Sequence, residues 1–406
     1  MAVTAEGTGI RRATFAFIFV TVTLDMLALG IIVPVLPKLV LQFEGGDSAS
    51  AAEIYGAFGT VFAAMQFLFA PTLGAVSDRF GRRAVILLSN VGLGLDYIMM
   101  ALAPSVRWLF LGRAIGGICA ATFSAPMAYV TDVTPPEKRA ASFGTLSAAF
   151  GLGFVIGPAF GGVLGSVNPR LPFWVAASLS LTNAAYGLFV LPESLPPSDR
   201  APFSWRRGNP VGALLLLREH AAVLSLAAVV FLYRTAHEVL PSTFVLYTDH
   251  RYGWDTRTVG LVLAVLGVSS VVVQGFLVRA SVARFGERRS LLVGLACGVA
   301  GFVAHGTAPT GRVFVLGVPL IALCGLTTPS VQALMTQRVE ASAQGRLQGA
   351  LAGLQGVAGM IGPVFFTTVY ATSIAPDRAR EFPGAAFLLA AALTTGALAV
   401  ARRATR

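Results

Sequence analysis

The stretch Gly74-Ala-Val-Ser-Asp78-Arg79-Phe-Gly81-Arg82-Arg83 is a short, strongly charged turn with a long apolar segment on each side. An imperfect repeat of it occurs later as Val282-Ala-Arg284-Phe285-Gly286-Glu287-Arg288-Arg289, in which Arg284 corresponds to Arg79 at an offset of 205 positions. The same offset relates Gly144 to Gly349, Gly151 to Gly356, and Gly157-Pro158 to Gly362-Pro363. These anchors predict two related halves, each carrying the turn between its second and third helices.

The composition around the two turns is that of a multi-pass membrane protein. Of the 406 residues, 55% are hydrophobic and only 12% are charged, whereas soluble domains carry roughly a quarter charged residues. The apolar residues fall in blocks of about 20, the length that crosses a hydrocarbon core of about 30 Å. We therefore expect an all-α membrane protein with twelve transmembrane helices in two six-helix halves, at 1–191 and 220–406, joined by a polar cytoplasmic linker at 192–219.

The net charge of +11 could suggest a nucleic-acid partner, but the 30 basic residues are distributed unevenly. If the N-terminus is cytoplasmic, two basic residues lie inside apolar segments and most of the others face the cytoplasm. The opposite side receives Lys38, Arg107, Arg170, Arg251, Arg257, Arg312, Arg378 and Arg380. This bias follows the positive-inside rule. It predicts a bacterial-type inner (plasma) membrane protein with both termini in the cytoplasm, the lipid bilayer as partner and no nucleic acid.

Three charged residues of the first half lie inside apolar segments, where an unpaired charge costs several kcal/mol. They are Asp25, Asp96 and Arg113. Desolvation favours the protonated form of a carboxyl group, while a nearby arginine favours the charged form. The set could therefore carry protons for coupling, or it could form a structural ion pair.

The seventh apolar segment contains Arg234, His237 and Glu238 at helical spacing. Residues three and four positions apart lie on one face of a helix, and Arg234 can pair with Glu238 there. Such a face could handle substrate or protons, or form a structural pair near the helix end.

Four amides also lie within apolar segments, and we consider them candidate substrate-binding residues: Gln66, Asn90, Gln274 and Gln332. Amides in a cavity lined by aromatic rings suit a small amphipathic organic molecule. The sequence contains no Walker-type glycine loop and no metal-ligand cluster. We therefore expect neither a cofactor nor a metal site nor enzymatic activity.

These motifs together resemble those of the major facilitator superfamily. The turn at 74–83 looks like the signature between that superfamily's second and third helices, and Leu109-x-x-x-Arg113-x-x-Gly-Gly117 resembles its fourth-helix motif. Gly153-x-x-x-Gly157-Pro158-x-x-Gly161-Gly162 is similar to the fifth-helix motif of its antiporters. Asp25-x-x-x-x-Gly30-x-x-x-Pro34-x-x-Pro37, together with Gln344-Gly-Arg-Leu-Gln348-Gly, resembles the tetracycline/proton antiporter branch.

The resemblance implies a secondary transporter that exports a small amphipathic compound or drug in exchange for protons by rocking its two halves. It implies gating roles for Gly74, Asp78, Arg79, Gly81, Arg82, Arg83, Asp132, Arg139, Gly153, Gly157 and Pro158. The chain departs from the tetracycline branch because it has no carboxylate in the ninth helix, where Gly298 aligns with the acid, and no histidine in the eighth. A proton-coupled importer of a small metabolite and a non-transporting sensor remain alternatives.

Overall fold

A computed structural model describes residues 5–120, 124–200, 221–340, 344–375 and 381–405. Every regular element in these ranges is helical, as the composition predicts. The α-helices are α1 (Ala5–Ile32), α2 (Leu36–Phe43), α3 (Ser48–Phe80), α4 (Arg82–Leu102), α5 (Val106–Ala120), α6 (Ser124–Val133), α7 (Arg139–Val167), α8 (Leu171–Val190), α9 (Ala221–His237), α10 (Val239–Tyr252), α11 (Thr256–Val272), α12 (Val278–Thr307), α13 (Gly311–Leu316), α14 (Val318–Leu323), α15 (Thr327–Thr336), α16 (Gln344–Ser373) and α17 (Ala385–Ala404).

In the described ranges, eleven helical stretches are long and apolar enough to cross a membrane. One of them, Thr256–Thr307, has 52 residues, or about 78 Å of helix, more than twice the thickness of a hydrocarbon core. Gly286 lies inside this stretch with φ 76° and ψ 167°, outside the helical region. The stretch therefore forms two spans joined by a tight turn, which gives the twelve spans that the sequence predicts.

The two copies of the charged turn share one backbone conformation. Gly81 has φ 104° and ψ 154°, close to the values at Gly286 in the second copy. Residues other than glycine rarely adopt a positive φ of this kind. A glycine is therefore required at the corner of both turns, and the sequence offset of 205 corresponds to a structural repeat.

The helices that follow the turns repeat as well. Helix α7 has 29 residues with Pro158 inside it, and α16 has 30 residues with Pro363 inside it. In the first span, α1 ends at Ile32 just before Pro34, and α2 continues the span from Leu36. Proline removes a backbone donor and clashes with the preceding turn, which explains the break.

By their internal contacts the residues divide into two compact units. Unit 1 comprises Met1–Val35 and Met65–Asn209, and unit 2 comprises Leu36–Ala64 and Pro210–Arg406. Residues 201–220 of the expected linker lie outside the described residues, and Pro197–Asp199 before them form a single 3-10 turn. The half boundaries at 191 and 220 stay a prediction.

Unit 1 is built around α1, which packs against α7 and α8. A Cβ added to Gly157 would lie 2.7 Å from the Cα of Gly30. This approach lets the two backbones touch, as small residues do in membrane helix pairs. The apolar core beside it includes Ile18, Val22, Met26, Ile86, Tyr129, Leu146 and Ala149.

Unit 2 has the corresponding arrangement, with α9 packed on α16 and α17, and α12 packed on α15 and α17. Its core includes Leu226, Tyr233, Leu291, Leu295, Met335, Leu347 and Leu351. Tyr247 on α10 also contacts the rings of Phe314, Tyr370 and Phe387. This second core is apolar and aromatic.

Candidate functional site

Asp25 lies on α1 with only 9% of its surface exposed. Asn183 on α8 is fully buried, and its Nδ2 donates to Asp25 Oδ1 at 2.8 Å and to the Thr21 carbonyl oxygen at 2.9 Å. The packing of α1 on α8 brings these residues together. A buried carboxylate is tolerated where it accepts such hydrogen bonds.

Asn90 on α4 completes the cluster and is 2% exposed. Its amide is assigned with the nitrogen toward Asp25, because this orientation satisfies both partners. The nitrogen then donates to the two Asp25 oxygens at 3.0 and 3.2 Å, and the amide oxygen accepts from Asn183 Nδ2 at 3.0 Å. The structure thus places Asn90, a predicted substrate contact, against the Asp25 carboxylate.

Asp96, which is buried, and Arg113, which is partly exposed, form a second charged group in unit 1. Asp96 lies on α4 at 3% exposure, and a Cβ added to Gly112 on α5 would lie 2.9 Å from its Oδ1. Arg113, the next residue on α5, interacts electrostatically with Asp96. Tyr97 lies within electrostatic range of Asp25, Asp96 and Arg113. The three predicted proton-coupling residues therefore all belong to unit 1, and Tyr97 interacts electrostatically with both groups.

The charged turn forms a network with neighbouring helix ends in unit 1. The Arg82 guanidinium pairs with Asp78 at 2.5 Å and with Asp132 at 3.3 Å, and its Nη1 donates to Ser77 at 3.2 Å. Arg139 donates to the carbonyl oxygens of residues 131 and 134, both at 3.2 Å. Asp132 therefore joins the turn, whereas the bonds of Arg139 go to the backbone.

Of the other predicted gating residues, Gly74, Arg79 and Arg83 belong to the charged turn, whereas Gly153, Gly157 and Pro158 lie in α7 against α1. The Arg79 guanidinium lies 5.1 Å from the centroid of the Phe80 ring, and Arg83 donates to the Leu188 carbonyl oxygen. A Cβ added to Gly74 would meet no atom within 4 Å in the described residues. Close packing against α1 therefore requires glycine at positions 153 and 157, whereas a larger side chain would fit at position 74.

Glu193, after the end of α8, is a member of the network that sequence reasoning missed. Its Oε1 accepts from the backbone nitrogen of Arg82 at 2.9 Å and so satisfies one free N–H at the start of α4. Ser194 beside it donates to Asp132 at 3.0 Å. In the sequence, Glu193 is only a carboxylate just after a helix end. Many residues fit that description, so the sequence alone does not single it out.

The second copy of the turn has different partners. Ala283 occupies the position of Asp78, and Glu287 the position of Arg82. Glu287 accepts from Gln337 Nε2 at 3.5 Å. Among the residues that the structure describes, the ion pairs of the first turn therefore have no equivalent in the copy.

The polar group of the seventh span splits over two faces. Arg234 Nη2 donates to Gln355 on α16 at 3.4 Å, and a Cβ added to Gly362 of α16 would meet the aliphatic part of Glu238. His237 instead lies between Tyr233, at 4.9 Å between ring centroids, and Phe302, at 5.7 Å. In the described part of the chain no ion pair joins Arg234 to Glu238. The expectation of a single face with a direct pair therefore differs from the structure.

The remaining predicted amides have separate neighbours. In unit 1, Gln66 Nε2 donates to the Ala120 carbonyl oxygen at 3.4 Å. In unit 2, Gln332 Nε2 donates to Gln348 Oε1 at 2.9 Å, and Gln274 is exposed in the π-helical segment Val273–Leu277. The described residues contain no group of three or more metal-ligand side chains.

Comparisons with known proteins agree with this architecture. The family model described as Major Facilitator Superfamily matches residues 18–366. The tetracycline resistance protein, class C, of Escherichia coli is 37% identical over 383 residues, covering 94% of this chain and 95% of that protein. The class B protein of Escherichia coli is 33% identical over 354 residues, covering 86% and 87%.

Solved structures share the fold at low identity. The human organic anion transporter MFSD10 aligns with a TM-score of 0.71 at 24% identity, over 96% of this chain and 99% of that chain. The nucleoside transporter NupG aligns with a TM-score of 0.79 at 13% identity, over 97% and 99%. From the family model, the relatives and the twelve-span architecture, the chain belongs to the Major Facilitator Superfamily and is a multi-pass membrane transporter rather than an enzyme.

Proposed function

We propose that this transporter exports a tetracycline-like amphipathic compound in exchange for protons, with Asp25 as the proton-carrying group. The observation that carries the proposal is the buried Asp25 carboxylate, which is held by two amide side chains in the middle of a membrane unit. A membrane protein keeps an ionisable group at this depth at a cost, and such groups mark ion and substrate pathways.

The similarity to tetracycline resistance proteins over most of the chain supports export, rather than import, of the substrate. The chain matches the class C tetracycline resistance protein over nearly its whole length, and a protein of a transporter family can give resistance by exporting the compound. The fifth-helix glycines make the close α1–α7 contact that the antiporter motif implies. An importer has no such support.

In unit 2, Arg234 and Glu238 are our candidate substrate contacts. Arg234 bonds a neutral amide, Gln355, and so retains the capacity to pair with an anionic group of a ligand. The aromatic neighbours of His237 favour a packing role for its ring. The ninth span, which contains Gly298, has no acidic residue. Arg234 and Glu238 provide charged side chains in the seventh span of the same unit instead.

The turn at 74–83 is our candidate gating latch. Asp78, Arg82 and Asp132 form its ion pairs, and Glu193 ties the start of α4 to the end of α8. Charge-assisted hydrogen bonds of this kind hold one arrangement of helix ends until a competing partner replaces them. The proposed orientation, with both termini in the cytoplasm, places the turn on the cytoplasmic side. A C-terminal GFP fusion that fluoresces in cells would support that orientation, and a dark, periplasmic fusion would contradict it.

The central test measures labelled tetracycline uptake into inverted membrane vesicles under an imposed pH gradient, with and without an uncoupler. We expect uncoupler-sensitive uptake that Asp25→Asn abolishes. Asp255→Asn is the matched control, since Asp255 caps α11 outside the spans by accepting from Thr258 N at 2.8 Å, and asparagine caps equally well. Accumulation by right-side-out vesicles instead would establish import, and gradient-driven uptake by Asp25→Asn would remove Asp25 from the mechanism.

A further inference from the structure

The cluster of Asp25, Asn90 and Asn183 has no counterpart in the repeated half. At the offset of 205, the equivalent positions are Val230, Leu295 and Leu388. Leu295 is fully buried and Val230 is 6% exposed. The same helix packing is therefore satisfied by aliphatic side chains in unit 2, and the fold does not require the polar cluster in unit 1.

The hydrogen bonds of the cluster all favour one charge state of Asp25. Asn183 donates to Oδ1, and Asn90 donates to both carboxylate oxygens. Among the described residues Asp25 takes part in no ion pair. Donors stabilise the carboxylate over the carboxylic acid. The amides, rather than a cation, therefore stabilise the charge on Asp25.

Few other ionisable groups face this carboxylate. Helix α4 contributes Tyr97 and Asp96. Helix α5 contributes Arg113 and Cys119, which interact electrostatically with Tyr97 and Asp96. Helix α8 contributes Tyr186, one turn from Asn183. The described part of α7 between Arg139 and Val167 has no ionisable side chain along its membrane length. Helix α6 contributes Tyr129 and Asp132 toward its end. No cation other than Arg113 lies within the membrane depth of these helices.

An amide can serve both protonation states of its neighbour because it has a donor end and an acceptor end. With the carboxylate, Asn90 directs its nitrogen at Asp25. When Asp25 carries a proton, its hydroxyl needs an acceptor, and rotation of the amide by half a turn presents the oxygen. Asn183 Oδ1 is buried without a hydrogen-bond partner in the described residues, so the pair has a spare acceptor.

We propose that Asn90 and Asn183 are positioning residues that hold Asp25 as a carboxylate and thereby set the pH at which it takes up a proton. This inference rests on the proposed role of Asp25 as proton carrier. Loss of either amide removes donors to the charged form, so protonation persists to higher pH. The expected displacement is about one pH unit toward alkaline conditions for each amide, since Asn183 donates one hydrogen bond to Asp25 and the Asn90 nitrogen is shared between its two oxygens.

The test titrates the carboxyl C=O infrared band of the purified full-length protein, with the Asp25 band identified by its loss in Asp25→Asn. Asn90→Leu keeps the branched shape of asparagine without its amide and should move the midpoint of that band by about one pH unit upward. Asn183→Leu should move it the same way. Asn90→Leu alone decides the test if loss of the Thr21 contact prevents Asn183→Leu from folding.

Ser180→Ala is the matched control on α8. Ser180 is buried one helical turn from Asn183, and its hydroxyl has no hydrogen-bond partner in the described residues. Its removal should leave the midpoint in place. The pH profile of vesicle transport should move together with the infrared midpoint in Asn90→Leu.

An unchanged midpoint in Asn90→Leu would overturn the amide proposal even if Asp25→Asn abolishes coupling. Conversely, an Asp25→Asn variant that still couples to the pH gradient would overturn the proposed function, whatever the infrared titration gives. A midpoint that moves equally in Ser180→Ala would assign the effect to general loosening of the helix pair and would also overturn the proposal.

Discussion

Asn183 Nδ2 lies 2.8 Å from Asp25 Oδ1 and joins α8 to α1 across 158 residues of sequence. The same nitrogen donates to the Thr21 carbonyl oxygen at 2.9 Å. One amide therefore contacts both the backbone of α1 and the carboxylate one turn further on. Any movement of α8 along α1 changes the environment of Asp25, which couples helix packing to the charge of this group.

Gly157→Ala should destabilise unit 1 strongly. The new Cβ would lie 2.7 Å from the Cα of Gly30, and a backbone atom cannot rotate away as a side chain does. We expect a loss of about 1–3 kcal/mol, seen as a lower apparent Tm of the detergent-purified protein. Gly144→Ala on the same helix is the control, because its Cβ would meet nothing within 4 Å. Equal effects of the two substitutions would contradict the close contact.

Glu193→Ala should weaken the start of α4. It removes the acceptor for the Arg82 backbone nitrogen at 2.9 Å, and loss of a helix cap costs about 1 kcal/mol. Thermal unfolding should show a reduced apparent Tm, and vesicle transport should fall because the turn loses its anchor. Glu53→Gln, at an exposed position on α3, should change neither quantity. If Glu193→Ala behaves like Glu53→Gln, the cap has no role.

Within unit 2, Lys38 of α2 pairs with Asp249 near the end of α10 and also donates to the Trp254 carbonyl oxygen. Lys38→Asp and Asp249→Lys should each lower the apparent Tm, because each places like charges together. The double exchange should recover part of the loss, with a coupling energy of about 0.5–3 kcal/mol. Recovery stays partial, since aspartate cannot donate to Trp254. A double variant no more stable than the weaker single variant would show that the pair is not coupled.

Arg234 and His237 should respond differently to substitution. Arg234→Gln keeps a polar side chain but removes the charge, and we expect KM for the exported compound to rise about tenfold, or about 1.4 kcal/mol. His237→Phe keeps the ring between Tyr233 and Phe302 and should leave KM unchanged. Vesicle uptake at several substrate concentrations measures both values. A raised KM in His237→Phe with an unchanged KM in Arg234→Gln would reverse the assignment.

The sequence predicted the spans and the repeat well because both follow from local rules. A span needs about 20 apolar residues, and the corner of each charged turn needs a glycine, as Gly81 and Gly286 show. It also identified Asp25, Asp96 and Arg113, since a charge inside an apolar segment stands out without any knowledge of its neighbours.

The helical spacing of Arg234 and Glu238 was a less reliable guide. Between α9 and α10, Glu238 keeps helical backbone angles, and its N–H donates to the Thr235 carbonyl oxygen at 3.1 Å, so the helix is tightened there to a 3-10 turn. An ion pair between residues four positions apart requires regular helix geometry. The 3-10 turn departs from that geometry, and Glu238 packs against Gly362 while Arg234 bonds Gln355.

By itself, the sequence determined the membrane class, the twelve spans, the duplicated turn and the buried charges of the first half, because hydropathy and glycine conformation act over a few residues. Only the tertiary structure showed that Asn90 and Asn183 surround Asp25 and that Glu193 caps α4. Asparagine and glutamate have many possible partners, and the packing of α1, α4 and α8 decides which hydrogen bonds form.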